Sequence, residues 1–161
     1  MNKIILGIDP GTYIMGYGLI ESYSDKIQYI KCGYWSFQKK HNIYIRVQNI
    51  YINVKNIIKE YNPCSIAIES PFYGKNVKVT STLNMVLGAV IAASVYSKSE
   101  IFQYSPTAIK QSITGNGKSN KLHVKYILQN IINVNILSKL DSTDALATAV
   151  CHHIKMCNNF I

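Results

Sequence analysis

Two things this chain has little of are arginine and acid. Arg46 is its single arginine, and Asp plus Glu total 8 against 17 Lys plus Arg in 161 residues. Phosphate, if it is the partner, must then be met mostly by lysine point charges and not by bidentate guanidinium forks. The net charge of +9 and sequence pI of about 9.4 point to a polyanionic partner. Heavy use of Ile, Lys, Asn and Tyr also fits an AT-rich genome, which by itself inflates lysine. The four cysteines, Cys32, Cys64, Cys151 and Cys157, form no Cys-x-x-Cys pair, which argues against zinc. Cys64 and Cys151 fall in segments that read as buried, where a thiol behaves as a small hydrophobe. The most apolar stretch, Met85 to Tyr96, is shorter than the roughly 20 residues a membrane-spanning helix needs. The first residues run straight into a strand-like segment with no signal peptide, and a reducing cytoplasm is the expected compartment. No repeat, low-complexity tract or linker interrupts the chain, so residues 1–161 read as one domain.

What is present is clearly patterned. Ile4 to Ile8 is a continuous apolar run closed by Asp9-Pro10-Gly11, the form of a buried strand. Gly16–Tyr23 and Ile27–Phe37 read as two further strands of an antiparallel meander. Helical spacing then runs from His41 to Tyr61 and stops at Asn62-Pro63. Ser65–Glu69 predicts a strand, Thr82–Ser97 a helix, Glu100–Tyr104 a fifth strand, and Pro106 opens a short helix to Ser112. Thr114 to Lys118 is a loop, followed by helices over Leu122–Ile132 and Asp144–Met156. This order predicts an α/β fold: a five-stranded mixed sheet, three strands antiparallel and then parallel, flanked by helices. The small, apolar face of Gly88, Ala89, Ala92 and Ala93 fits either a dimer interface or a sheet-facing core.

The scarce acids carry the chemistry. Asp9 and Glu69 each end an apolar strand, and Asp141 and Asp144 stand three apart on a helix, sharing a face. Singly, each has a plain reading. Asp9-Pro10-Gly11 is a turn former, Glu69 a solvated strand end, and Asp141 an N-cap with Asp144 in the first turn. Jointly, if the first and fourth strands are neighbours, four carboxylates converge at strand ends and repel one another unless cations sit between them. Mg²⁺ suits oxygen ligands, and two such ions clamp both oxygens of an in-line phosphoryl displacement. Lys110, Lys118, Lys121 and Lys125, around the glycine-flanked loop, read as a phosphate track toward the metals or as a solvated face. His152 lies about 12 Å along the helix from Asp144. With His153 it reads as a helix-end residue aiding the C-terminal dipole, outside any shared metal shell.

The ensemble resembles the RuvC family of Holliday junction resolvases, crossover junction endodeoxyribonucleases of the ribonuclease H-like superfamily. The matching segments are Ile-Leu-Gly-Ile-Asp9-Pro-Gly, Gly16-Tyr-Gly, Ala67-Ile-Glu69 with Phe72 and Lys75-Asn76, Ile109-Lys110-Gln, Thr114-Gly115-Asn-Gly117, Lys121, and Asp141-Ser-Thr-Asp144-Ala-Leu-Ala. They occur in order over nearly the whole chain. The resemblance implies a ribonuclease H-like nuclease domain, with Asp9, Glu69, Asp141 and Asp144 as catalytic ligands of two Mg²⁺ ions that Mn²⁺ can replace. It implies that Phe72 stacks on an unpaired base near the junction centre, with Lys75 and Asn76 beside it. It also implies that Lys110 and Lys121 meet backbone phosphate near the cut. A homodimer that nicks two strands of like polarity symmetrically, leaving ligatable ends, and a two-protein branch-migration motor are the implied assemblies. Tyr13-Ile14-Met15 departs from the family's polar loop, and Ser70-Pro71 is a variable spot, so the grip on the junction is open. The competing expectations are a ribonuclease H-like enzyme acting on RNA–DNA hybrids or RNA precursors, a non-catalytic binding module, and a half-size ATPase of the actin and sugar-kinase type.

Overall fold

The computed structural model describes residues 3–24, 26–71, 77–95, 97–133 and 140–158, with 140 and 141 described in the backbone only. The elements are β1 (Lys3–Asp9), β2 (Ile14–Tyr23), β3 (Lys26–Ser36), α1 (Ile43–Tyr61), β4 (Ser65–Glu69), α2 (Val77–Ala93), β5 (Glu100–Tyr104), α3 (Pro106–Thr114), α4 (Lys121–Ile132) and α5 (Leu140–Asn158). The strands form one sheet in the order β3-β2-β1-β4-β5. β1 pairs antiparallel with β2 and parallel with β4; β2 and β3 are antiparallel, β4 and β5 parallel. The mixed sheet expected from the element order is therefore present.

Local chemistry sets the helix ends. The Asn42 side chain accepts from the Ile45 amide at 3.0 Å, and Asn62, left-handed at φ 45°, donates its amide to Ile58 at 2.8 Å before Pro63 ends the helix. Ser105 caps α3, Pro106 occupies its first turn, and Gly115 at φ 74° closes it.

Two helices differ from the expected spans by more than two residues at an end. α2 begins at Val77, five residues before Thr82, and stops at Ala93, where the Ser94 hydroxyl donates to the Ile91 carbonyl and diverts the backbone. α5 begins at Leu140, not Asp144, so Asp141 lies inside the first turn and is not the N-cap. The Asp-Ser-Thr run has the chemistry of a cap, yet Ser142 and Thr143 are buried within the helix. Cys64, expected inside the core, is only half-buried and donates its thiol to the Ile4 carbonyl at 3.3 Å.

Strand alternation divides the core into two layers. Leu6 and Ile8 of β1, Met15 and Leu19 of β2, and Ile66 and Ile68 of β4 pack with α1 and α2. Ile5, Ile20 and Ala67 point to the other face and pack with α3, α4 and α5. Asp9 shares the parity of Ile5 and Gly7, and Glu69 that of Ala67, so both strand-end carboxylates fall on the α5 face.

Candidate active site

The site is built where β1 and β4 end. Ile8 pairs with Ile68 in parallel register, so Asp9 and Glu69 follow at adjacent strand ends, about 4.8 Å apart in the backbone. α5 brings the third carboxylate, and two glycines allow it. Gly7 and Gly18 are cross-strand partners. A Cβ on Gly7 would stand 2.0 Å from the Ala145 carbonyl oxygen, and one on Gly18 would stand 2.5 Å from the Leu146 Cα. α5 therefore lies backbone against backbone on the sheet directly after Asp144. That seat delivers Asp144 to the strand ends.

A cleft is lined by Glu69, Lys110, Lys121 and Asp144, with Pro106, Ile109, Val124 and Ala147 as its apolar wall. Lys121, at the start of α4, donates a charge-assisted hydrogen bond to Asp144 Oδ2. Its pKa is raised by that bond and by the charges of Asp144, Asp9 and Glu69 against the cost of burial. Glu69 is pushed up to about 7, chiefly by burial and then by the repulsion of Asp144, while Lys121 and Lys110 pull it back. Asp9, Glu69 and Asp144 thus share one electrostatic centre around Lys121.

Among the described residues no three His, Cys, Asp or Glu side chains form a ready-made metal cage. The Asp141 side chain lies outside that description, although its backbone stands one turn from Asp144. The donor set is all carboxylate oxygen, which fits a hard divalent cation. Phe72, Lys75 and Asn76 lie outside the described residues. Lys118 is exposed on the loop, and Lys125 is half-buried on α4; neither lines the cleft.

Sequence reasoning missed a second tie behind the site. His152 is buried on α5, with Nδ1 2.7 Å from the Tyr104 hydroxyl and its ring 4.3 Å from that of Phe102. Burial pushes it down to about 4, helped by His153 and Lys3, so it is neutral. His153 is also buried and bonds Ser22 at 2.8 Å. Neither histidine is at the helix end expected from the sequence, since α5 runs on to Asn158; both anchor α5 to the sheet. Tyr104 pairs with Glu69 across β4 and β5, and its carbonyl accepts from the Ser70 amide at 2.8 Å. The Tyr104–His152 bond therefore links the strand end beside Glu69 to the helix of Asp144. The signal was legible: Ala145, Ala149 and His152 follow i, i+4, i+7 and share the sheet-facing stripe.

Residues 5–152 match the family model described as crossover junction endodeoxyribonuclease RuvC. The chain belongs to the RuvC family. It is 42% identical over 151 residues to the RuvC of Christiangramia forsetii, covering 93% of this chain and 79% of that protein. It is 40% identical over 156 residues to the RuvC of Cytophaga hutchinsonii, covering 96% and 78%. Its fold superposes on T. thermophilus RuvC in complex with a Holliday junction substrate with a TM-score of 0.90, at 23% identity, over 98% of this chain and 96% of the other. The ribonuclease H-like sheet and helix arrangement expected from the RuvC resemblance is thereby borne out in fold and in family.

Proposed function

We propose that this chain is a structure-selective endonuclease that resolves four-way DNA junctions by paired, symmetric nicks in strands of like polarity, through metal-dependent phosphodiester hydrolysis. The observation that carries it is the convergence of Glu69 and Asp144 with Lys110 and Lys121 in one cleft, beside Asp9, at the carboxyl ends of β1 and β4 within a chain of RuvC family membership. Residues 1–161 act as one nuclease domain in this reading.

Asp9, Glu69, Asp144 and Asp141 would hold the divalent ions, two Mg²⁺ in our reading, with Mn²⁺ able to replace them. Bound there, the ions supply charge neutralisation on the phosphoryl oxygens and a water acidic enough to attack at neutral pH. The chain's own residues do the rest. Lys110 and Lys121 place positive charge where the phosphate gathers negative charge, which lowers the barrier because the charges are fixed before reaction. The apolar wall of Ile109 and Val124 excludes bulk water and strengthens those fields. Burial favours the protonated form of Glu69 in the metal-free chain, and a cation would compete with that proton. Phe72, Lys75, Asn76 and Lys118 are the proposed DNA contacts beyond the cut, with Phe72 stacking on an unpaired base.

A four-way junction offers two equivalent strands, so a two-fold dimer matches its symmetry. The α1–α2 groove lined by Val47, Tyr51, Gly88 and Ala92 is the proposed seat of the second copy. Ala89 and Ala93 of that face are buried in the core, which leaves exposed Gly88 and Ala92 for the proposed interface. No helix among the described residues is long and apolar enough to cross a membrane. We place the enzyme in the cytoplasm with a branch-migration motor.

The test compares nicking of a four-way junction, an RNA–DNA hybrid and a plain duplex by the purified chain with Mg²⁺. Symmetric nicks in the junction are expected; preferential cutting of the hybrid would move the enzyme to another ribonuclease H-like activity.

A further inference from the structure

Arg46 is the chain's single arginine, and it is 7% exposed. From the first turn of α1 its Nη1 donates to the Thr12 carbonyl at 3.1 Å, and its guanidinium carbon lies 4.1 Å from the centre of the Tyr13 ring. Among the described residues its Nε has no hydrogen-bond partner and no carboxylate pairs with it. A guanidinium taken from water without an anion is costly, and an aromatic face recovers only part of that cost. The group is therefore set to receive a negative charge.

A pocket of about 440 Å³ opens beside it, walled by Thr12, Tyr13 and Arg46 on one side and by Lys78 near the start of α2 on the other. No acid lines it. The Thr12–Tyr13 segment leaves the carboxyl end of β1, α2 follows β4, and α1, which carries Arg46, follows β3, which runs parallel to β1, so all three start from the end of the sheet that holds Asp9 and Glu69. Thr12 is three residues past Asp9, so the Thr12 wall of the pocket lies within about 10 Å of chain length from the candidate site. Phosphates along one strand of a duplex repeat at about 3.4 Å along the axis.

We propose that Arg46 and Lys78, with Tyr13 as the guanidinium's platform, form a phosphate subsite that grips the DNA backbone a few nucleotides from the scissile phosphate. This rests on the nuclease reading above. Arg46 supplies the fixed fork and Lys78 the exposed charge that draws the strand in.

The test measures binding of a four-way junction and of a plain duplex, without divalent metal, by the wild-type chain and by Lys78→Gln, a change at an exposed position that spares the fold. Arg46→Lys is run beside it to separate fork from charge. Lys78→Gln should weaken binding about tenfold near physiological salt and make the salt slope shallower by about one. A single neutral methylphosphonate moved along the strand should weaken wild-type binding at one position near the cut and cost Lys78→Gln little more there. An unchanged slope, with equal methylphosphonate penalties in both proteins, would overturn the subsite and leave Arg46 as a staple for the segment after Asp9. Wild-type protein that binds junction no better than duplex, while keeping the methylphosphonate signal, would overturn the junction reading and support the subsite.

Discussion

The two faces of the sheet hold their helices by different means. On one, α5 rests on Gly7 and Gly18 with its own backbone, and a single added carbon would meet a carbonyl oxygen at 2.0 Å. On the other, α1 and α2 stand off on Leu6, Ile8, Met15, Leu19 and Ile68, and a groove stays open between them where a methyl added to Gly88 would meet nothing within 4 Å. The first contact has no slack and carries a carboxylate to its place. The second is an adaptable packing of large aliphatic chains and carries none. Precision in this fold is concentrated where chemistry is proposed, and it comes from removing side chains and not from adding them.

The sharpest way to break that contrast is Asp144→Asn. Junction cutting should fall about 1,000-fold or more, since in the proposed reading a fixed charge at the reacting centre is lost. Glu69 should titrate below its value of about 7, because part of the repulsion that raises it is gone. Retained cutting, measured by single-turnover kinetics, would remove α5 from the site. Gly7→Ala comes next. The backbone of α5 must shift, with an expected loss of about 3 kcal/mol in urea unfolding and a parallel loss of cutting. A near-neutral result would mean that the helix is not seated as tightly as its distances imply.

The pH dependence sharpens the comparison further. Glu69 is raised above its unfolded value of 4.5 to about 7. Its protonated form is favoured in the folded, metal-free chain, so this contribution to stability is full below pH 4.5 and lost as pH rises through about 7. Glu69→Gln should then be more stable than the wild type above pH 7 and closely matched at pH 4.5, in metal-free thermal melts. His152 runs the other way. Lowered from 6.5 to about 4, it contributes stability that is full above pH 6.5 and lost as pH falls toward 4. Mn²⁺ binding by calorimetry should strengthen as pH climbs through 7, because the cation competes with the Glu69 proton.

The smallest effect is Gly88→Ala on the opposite face. With open space at that position it should gain about 0.5–1 kcal/mol from helix propensity alone. A loss instead would show that a second copy already covers the groove.

Much of the architecture is readable from the chain alone. Strand ends at Asp9 and Glu69, caps at Asn42 and Ser105, and left-handed closure at Asn62 follow from local rules that act within a few residues. Two of the misread helix ends turn on context. Asp-Ser-Thr before Asp144 has the chemistry of a helix entry, and Ser94 to Ser97 that of a helix interior in an apolar setting. Which state wins depends on burial that neighbours in sequence do not reveal. The same holds for His152 and His153, which read as helix-end residues until Tyr104 and Ser22 are seen beside them.

By itself the sequence determined the element order, the strand parity that turns Asp9 and Glu69 to one side, and the set of acids available for chemistry. Only the tertiary structure decided that α5 covers that side, that Gly7 and Gly18 let it approach, and that Lys121 closes on Asp144. Local propensity and period act along the chain, whereas convergence of residues far apart in sequence is settled by which surfaces can touch without a clash.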